Sequence, residues 1–405
     1  MKIGIFAQRF PILSETFVIN QVIEIKKAGV DVSVITEEID DSNIQRKIIN
    51  DEDILSNCIE LVGKKRNFFT IFKSMGKLVF KGDIFNLISI LTDNYLDVRR
   101  KIMLIIAASR IDQTISFDTI ICHFGVNGYS LCKLRKLGYI NSKISVIFHG
   151  FDISRVDIIE RYQKQYSALF KEADMFLPIS HLWERKLIEM GCDRKKIHVQ
   201  HMGINKSFFN TEIKNTSFQK PIKLLQVGRL TEKKAILNSI SAVCEAKESI
   251  DLTFNIIGDG ELYEEAKKLI RSKNAESYIH LLGAKSSETV SEYLDNTDIF
   301  LLPSITAPNG DMEGIPVSIM EAMSKGVYVI STEHSGIPEL ITNSVHGSLV
   351  PENDIQALKD SILNVSNMNY EEIMNIRLNS YKKCFEDFNN ETLTIKLLSL
   401  LKSNL

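Results

Sequence analysis

The sequence predicts an α/β protein built from two consecutive βαβ domains. Three observations carry this. Apolar runs of strand length recur along the whole chain. Helix-period segments fill the gaps between them. The residues suited to chemistry fall where those runs end. At about 100–200 residues per domain, 405 residues fit two or three domains.

Residues 2–6 read as the first strand and 31–36 (DVSVIT) as the second. Between them Ser14 can cap a helix whose apolar stripe is Val18, Val22, Ile25 and Ala28, stopped by Gly29. Strand, helix and strand at this spacing make a parallel pair. Further strands are expected at 119–122, 144–148 and 175–177. A polar stretch at about 205–221 reads as a linker. The rhythm restarts with strands at 222–227, 252–257, 278–282, 299–302 and 327–330, and residues 392–401 form a last amphipathic helix.

Composition removes several classes. Hydrophobic residues make up 44% and charged residues 25%, which excludes disorder and low complexity. Net charge is −2, but residues 1–210 hold 30 Lys and Arg against 24 Asp and Glu, and the remainder 19 against 27. That surplus is too dilute for a nucleic-acid footprint. The six cysteines show no metal-ligand spacing and suit a reducing cytoplasm. No signal peptide is expected, and the apolar run 102–108 is far short of the ~20 residues of a membrane span. There is no Walker A pattern. Gly258-Asp259-Gly260 is followed by Glu261, Leu262 and Tyr263, an incomplete dinucleotide fingerprint.

In open α/β sheets ligands bind beyond the carboxyl ends of the strands. Arg9–Leu13, His123, His149-Gly150 and Ser180 lie there in the first half, and Gly228-Arg229, Gly258–Gly260, Gly283 and Ser304 in the second. The most specific stretch is GDMEGIPVSIMEAMSKG, 310–326. Pro316 suits a helix start, and free N–H groups of Gly314, Ile315 and Val317 can hold a phosphate. Glu321 shares a helical face with Val317, Met320 and Ser324, where a carboxylate needs partners such as sugar hydroxyls. The alternative pairs it with Lys325 on a solvated face. In GRLTEKKA, Arg229 and Lys234 leave a strand end as two cations suited to a diphosphate. His149 is balanced between a catalyst and a structural hydrogen-bonder, and His123 leans structural. Asp51-Glu52-Asp53 matches the Asp-x-Asp of metal-dependent sugar transferases, but reads better as a solvated turn.

These pieces together resemble a family 4 glycosyltransferase of GT-B architecture: FPILSETFVINQV, the HFG and HGFD strand ends, ADMFLPIS, GRLxxxK, Glu-x7-Glu in GDMEGIPVSIMEAM, and STEHSGIPELI. LSETFV with GDMEGIPV is similar to bacterial exopolysaccharide transferases of the colanic acid type. The resemblance implies two Rossmann-like domains facing each other across a cleft, an acceptor-binding one at 1–207, joined by helix 388–405, and a donor-binding one at 208–387. It implies retaining, metal-independent transfer from a nucleotide-diphosphate sugar, with no other cofactor, to a glycan or polyprenyl-linked acceptor in surface polysaccharide synthesis. Arg229 and Lys234, beside Gly228, would bind the diphosphate. Glu313 would bind the donor sugar, Glu321 the ribose, and main chain at Gly283-Ala284 the base, with His149 near the reaction centre. Arg9, Pro11, Ser14 and His123 would line the acceptor side. Two departures stand out: Ala235 replaces the usual glycine after the lysine, and the loop after the first strand has no glycine. An epimerase or hydrolase on the same fold, or a non-catalytic subunit, are the alternatives.

Residues 64–81 hold six cations and no acid. On a helix Phe68, Ile71, Phe72, Met75, Leu78 and Val79 share one arc, opposite Arg66, Lys73, Lys77 and Lys81. The plain expectation places the apolar arc on the core. The other makes this segment a peripheral contact with the anionic inner face of the plasma membrane.

Overall fold

The computed structural model describes residues 1–12, 15–40, 54–210, 213 and 217–404. Ser14, Leu13 and the Asp51–Asp53 run lie outside the described residues. The first half contains strands β1 (Lys2–Phe10), β2 (Asp31–Ile39), β3 (Cys58–Glu60), β4 (Ile115–His123), β5 (Ile140–Phe148) and β6 (Met175–Pro178). They form one parallel sheet in the order β3-β2-β1-β4-β5-β6. The second half contains β7 (Ile222–Val227), β8 (Leu252–Ile257), β9 (Ile279–Leu281), β10 (Ile299–Leu302), β11 (Tyr328–Thr332) and β12 (Ser348–Val350). Its order, β12-β11-β10-β7-β8-β9, is the same winding read from the other edge. Both sheets therefore reverse strand order beside their first strand, which opens a crevice there.

The helices of the first half are α1 (Thr16–Lys27), α2 (Phe68–Phe80), α3 (Ile84–Leu91), α4 (Val98–Arg110), α5 (Gly125–Lys136), α6 (Phe151–Ser154), α7 (Val156–Glu172) and α8 (His181–Glu189). Those of the second are α9 (Ile236–Lys247), α10 (Tyr263–Ser272), α11 (Ser287–Asp295), α12 (Val317–Ser324), α13 (Ile337–Leu340), α14 (Ile355–Ser366), α15 (Tyr370–Asp387) and α16 (Asn390–Ser403). Strand alternation divides the second core cleanly. Leu224, Ile299 and Leu301 pack on one face of the sheet, and Leu225, Phe300 and Leu302 on the other. Both faces are covered, which is why these strands read as unbroken apolar runs. Leu397, Leu398 and Leu401 of α16 return to pack in the core of the first half.

Local expectations need three corrections. On α1 the expected Val18, Val22 and Ile25 are buried, joined by Ile19 and Ile23, but Ala28 is the exposed C-cap residue ahead of Gly29. The edge strands β3 and β12, three residues each, were not expected. The apolar arc of α2 does not lie wholly on the core: Leu78 is buried and Ile71 and Met75 pack against it, but Phe68, Phe72 and Val79 face solvent. The helix has too few apolar neighbours to cover so wide an arc. Among its cations, Lys77 and Lys81 pair with Asp112 at 3.1 and 2.8 Å, and Arg66 pairs with Glu38.

Candidate active site

The site gathers where β5, β7 and β8 end. After β7 the chain turns through Gly228 and Arg229 into a short 3-10 turn, Glu232–Lys234. Ala235 then takes a left-handed backbone, φ +47°, and opens α9. This is a conformation glycine adopts freely, so the alanine keeps the loop path at some strain.

Lys234 Nζ lies 2.9 Å from Glu313 Oε1, and Lys233 Nζ lies 3.1 Å from Asp311 Oδ1. Glu313 is buried, which would raise its pKa, but Lys234 and Lys233 outweigh burial and hold the carboxyl below its ordinary range. Its main chain is fixed as well. Glu313 N–H donates to His334 Nε2 at 3.1 Å, and Ser335 Oγ donates to Glu313 O at 2.5 Å. His334 Nδ1 lies 2.6 Å from Glu352 Oε1. A ring that accepts at Nε2 carries its proton on Nδ1, so Glu352 sets the tautomer.

Arg229 is exposed and borders an open cavity of about 630 Å³ with Gly228, Gly258, Asp259, Gly260, Ala284 and Lys285. Gly283 O, at the rim, accepts from Gly258 N–H. The turns after β7 and β8 interlock: a Cβ at Gly258 would sit 1.9 Å from Gly228 O.

Val317 opens α12 and is exposed; Gly314 and Ile315 precede it. N–H groups at a helix start have no acceptor within the helix and suit an anion. Glu321, on the same helix, is largely buried, and burial pushes its carboxyl up to about 7. Its expected alternative partner, Lys325, instead pairs with Asp295 at 3.3 Å and donates to Asn210.

The first half meets this loop through its main chain. Gly314 has no room for a side chain, since a Cβ would lie 2.9 Å from His149 O and 2.4 Å from Ile179 Cδ1. The His149 ring points elsewhere. Its Nε2 lies 2.9 Å from His123 Nδ1, its Nδ1 lies 3.3 Å from Met202 Sδ, and Phe17 and Phe124 pack on it. His123 Nε2 in turn meets Gln21 Oε1 at 2.9 Å. Burial pushes His149 well below the usual imidazole range and His123 down to about 3, so both rings are neutral. Asp152 accepts from the N–H groups of Gly125, His149 and Gly150, and so holds the loops after β4 and β5 together.

Of the residues expected to line an acceptor, Arg9 pairs with Asp40 at 3.0 Å and Glu38 at 3.5 Å, and Pro11 follows β1 directly. Thus Gly228, Arg229, Lys234, Gly283, Ala284, Glu313, Gly314 and Ile315 stand at strand ends or loops of the second half, and Val317 and Glu321 on the helix that follows, α12, with the His149 main chain against Gly314. Arg9 is held at the end of β1 by its own acids. Asp152, His334 and Glu352 were missed. Asp152 was visible in HGFD, and His334 in STEHSG, but Glu352 lies 18 residues on with no motif. Three possible metal ligands, His181, His201 and Glu339, lie within 4.8 Å of one another at the seam between the halves.

Two doubly wound sheets, with a phosphate-suited loop set facing a second domain, make the GT-B architecture. Comparison with known proteins supports this. A model described as "Glycosyltransferase Family 4" matches residues 14–208, and one described as "Glycosyl transferases group 1" matches 208–383. The chain is 34% identical to the Escherichia coli glycosyltransferase WcaL, named for colanic acid biosynthesis, over the full length of both. It is 39% identical to the amylovoran biosynthesis glycosyltransferase AmsK of Erwinia amylovora, over 90% of this chain and 91% of that one. A solved glycosyltransferase from Rickettsia africae superposes with a TM-score of 0.71 at 19% identity, covering 100% of this chain and 98% of that one. Anabaena HepE, solved with UDP and glucose, gives 0.70 at 14% over all of both chains. This protein belongs to the family 4 glycosyltransferases, and the WcaL and AmsK relatives are named for colanic acid and amylovoran biosynthesis.

Proposed function

We propose that this glycosyltransferase moves a sugar from a nucleotide-diphosphate donor, with retention and without a metal, to a glycan or lipid-linked acceptor in exopolysaccharide assembly at the cytoplasmic face. The observation that carries this is the cation set at the end of β7: Lys234 held at 2.9 Å by Glu313, with Arg229 on the open cavity beside it. As the bond from the anomeric carbon to the leaving phosphate oxygen breaks, negative charge grows on the diphosphate. Arg229, Lys234 and the start of α12 meet that charge without reorganising. The acceptor oxygen bonds to the anomeric carbon on the same face, and its proton passes to the leaving phosphate. The neutral His149 ring serves packing, and its main chain faces the donor loop.

The names of the relatives support a surface-polysaccharide acceptor, and the HepE complex supports a nucleotide sugar as donor. The test is transfer from UDP-, GDP-, ADP- and TDP-sugars in excess EDTA, with the product anomer read by NMR. Retention and full activity in EDTA are expected. Arg229→Ala should lower kcat by about 10²–10³, as for loss of one oxyanion donor. Metal-dependent transfer, an inverted product, or an unimpaired Arg229→Ala enzyme overturns the mechanism. Donor turnover equally fast without acceptor identifies a hydrolase or epimerase instead.

A further inference from the structure

We propose that the outer faces of α2 and α3 dock this protein on an anionic bilayer surface, with the phenylalanine rings in the interface and the lysines at the level of the lipid phosphates. This goes beyond the transfer reaction, because it is measured without donor or acceptor.

Among the described residues, five of the six exposed phenylalanines fall between 68 and 85: Phe68, Phe69, Phe72, Phe80 and Phe85. Phe80 is 93% exposed and Phe68 83%. Singly scattered apolar residues need no explanation, but a cluster on two packed helices marks a binding surface. On α3 the outer positions Ile84, Ile88 and Leu91 recur at helical spacing, and its eight residues, IFNLISIL, include no charge.

The charge around this face selects the partner. Residues 64–92 carry six Lys and Arg against one acid, Asp83; Lys77 and Lys81 share Asp112 and Arg66 pairs with Glu38 from outside the stretch. Lys65 and Lys73 are exposed, and Lys73 lies about one helical turn from Phe69 and two from Phe80. A second copy of this chain would bring the same cations against themselves in a two-fold contact. An anionic bilayer supplies both an apolar layer about 5–10 Å deep for the rings and phosphates for the lysines. The acidic surplus of residues 211–405 is repelled by such a surface, which leaves the first half facing it. Among the described residues no helix is long and apolar enough to cross a membrane, so the contact is peripheral.

The experiment is co-sedimentation of the full chain with vesicles of phosphatidylcholine alone and with one third phosphatidylglycerol, at low and high salt. Light scattering without vesicles gives the oligomeric state. Lys77 and Lys81 are spared because Asp112 anchors both. The variants are Phe68→Ser with Phe69→Ser and Phe72→Ser, and Lys65→Glu with Lys73→Glu. All these side chains are exposed, so melting temperatures should match the wild type. Wild type should bind the anionic vesicles about tenfold better than the neutral ones and be released as salt shortens the Debye length from about 10 to 3 Å. Both variants should bind at least about tenfold more weakly, since apolar burial and charge act together. Wild type that ignores anionic vesicles at low salt, or an aromatic variant that binds as well as wild type, overturns the proposal. So does a wild-type dimer that the aromatic variant converts to monomer.

Discussion

Lys234 and Glu313 depend on each other. Glu313 is buried, and its charge is stable there because two lysines face it. Lys234→Met strands that carboxylate, which should cost about 3–5 kcal/mol of stability in denaturant unfolding. Lys234→Met with Glu313→Gln removes both charges and should regain most of the loss. Equal destabilisation by the single and double variants would show that the pair does not act as one. Glu321 behaves in the opposite way. Its folded pKa of about 7 exceeds the ordinary 4.5. The folded state therefore holds a proton that the unfolded chain gives up, and the stability this contributes is lost as pH rises from 4.5 to 7. The swing is at most about 3 kcal/mol. Without ligand, Glu321→Gln should be more stable than wild type at pH 8 and nearly equal at pH 4.5. Parallel stability curves for the two proteins would refute this.

At the level of elements, the interlocked turns after β7 and β8 invite a direct comparison. Gly258→Ala forces a Cβ into Gly228 O, whereas a Cβ at Gly283 meets nothing within 4 Å and faces only its positive φ of +69°. Overpacking adds about 1–3 kcal/mol to the backbone penalty, while Gly283→Ala should cost about 1–2 kcal/mol in all. Thermal unfolding should rank Gly258→Ala below Gly283→Ala, and donor binding should fail first in the former. The reverse ranking would mean that the two turns are free to separate. Ten strands were legible because buried parallel strands are apolar runs of four or more residues ended by glycine or charge. β3 and β12 were not, because three residues show no period of their own; β9 is as short, but Tyr278 and Leu282 extend its apolar run to five residues. α2 was legible as a helix but not as to its exposed side, since an apolar arc does not say how much of it a neighbour covers. The same limit applies to the site. Side chains that follow a strand end could be read from the sequence. The Glu352–His334 pair could not, because only the sheet brings those positions together.

For the whole molecule, the question is what holds two separately cored halves at the spacing the chemistry needs. The site residues named from the sequence divide unequally: the phosphate-suited set stands in the second half, and the first half presents His149 and Gly150 to Gly314. Hydrogen bonds tie the halves across this seam. Val156 N–H donates to Asn309 O, and Met312 N–H to Ser154 Oγ. Glu339 of α13 adds further ones, including a 3.4 Å bond from Leu182 N–H to its Oε1. Its Oε1 accepts from His181 N–H at 2.8 Å at the start of α8, and its Oε2 lies 2.8 Å from His201 Nε2. A carboxylate at a helix start is favoured by the helix dipole. Burial raises the Glu339 pKa, but the His201 bond and charge outweigh it and hold the carboxyl below its ordinary range. This stability is present above about pH 4.5 and is lost as pH falls through the lower folded value. Glu339→Ala should therefore let the halves separate at neutral pH while leaving the second half intact. The radius of gyration from X-ray scattering should rise. The donor Kd by calorimetry should stay within about threefold, because Arg229, Lys234, Glu313 and Glu321 are untouched. Transfer kcat should drop about fivefold or more, the low end of ordinary coupling between sites. If scattering and kcat are both unchanged, Glu339 does not hold the cleft and the halves are positioned by their remaining contacts alone.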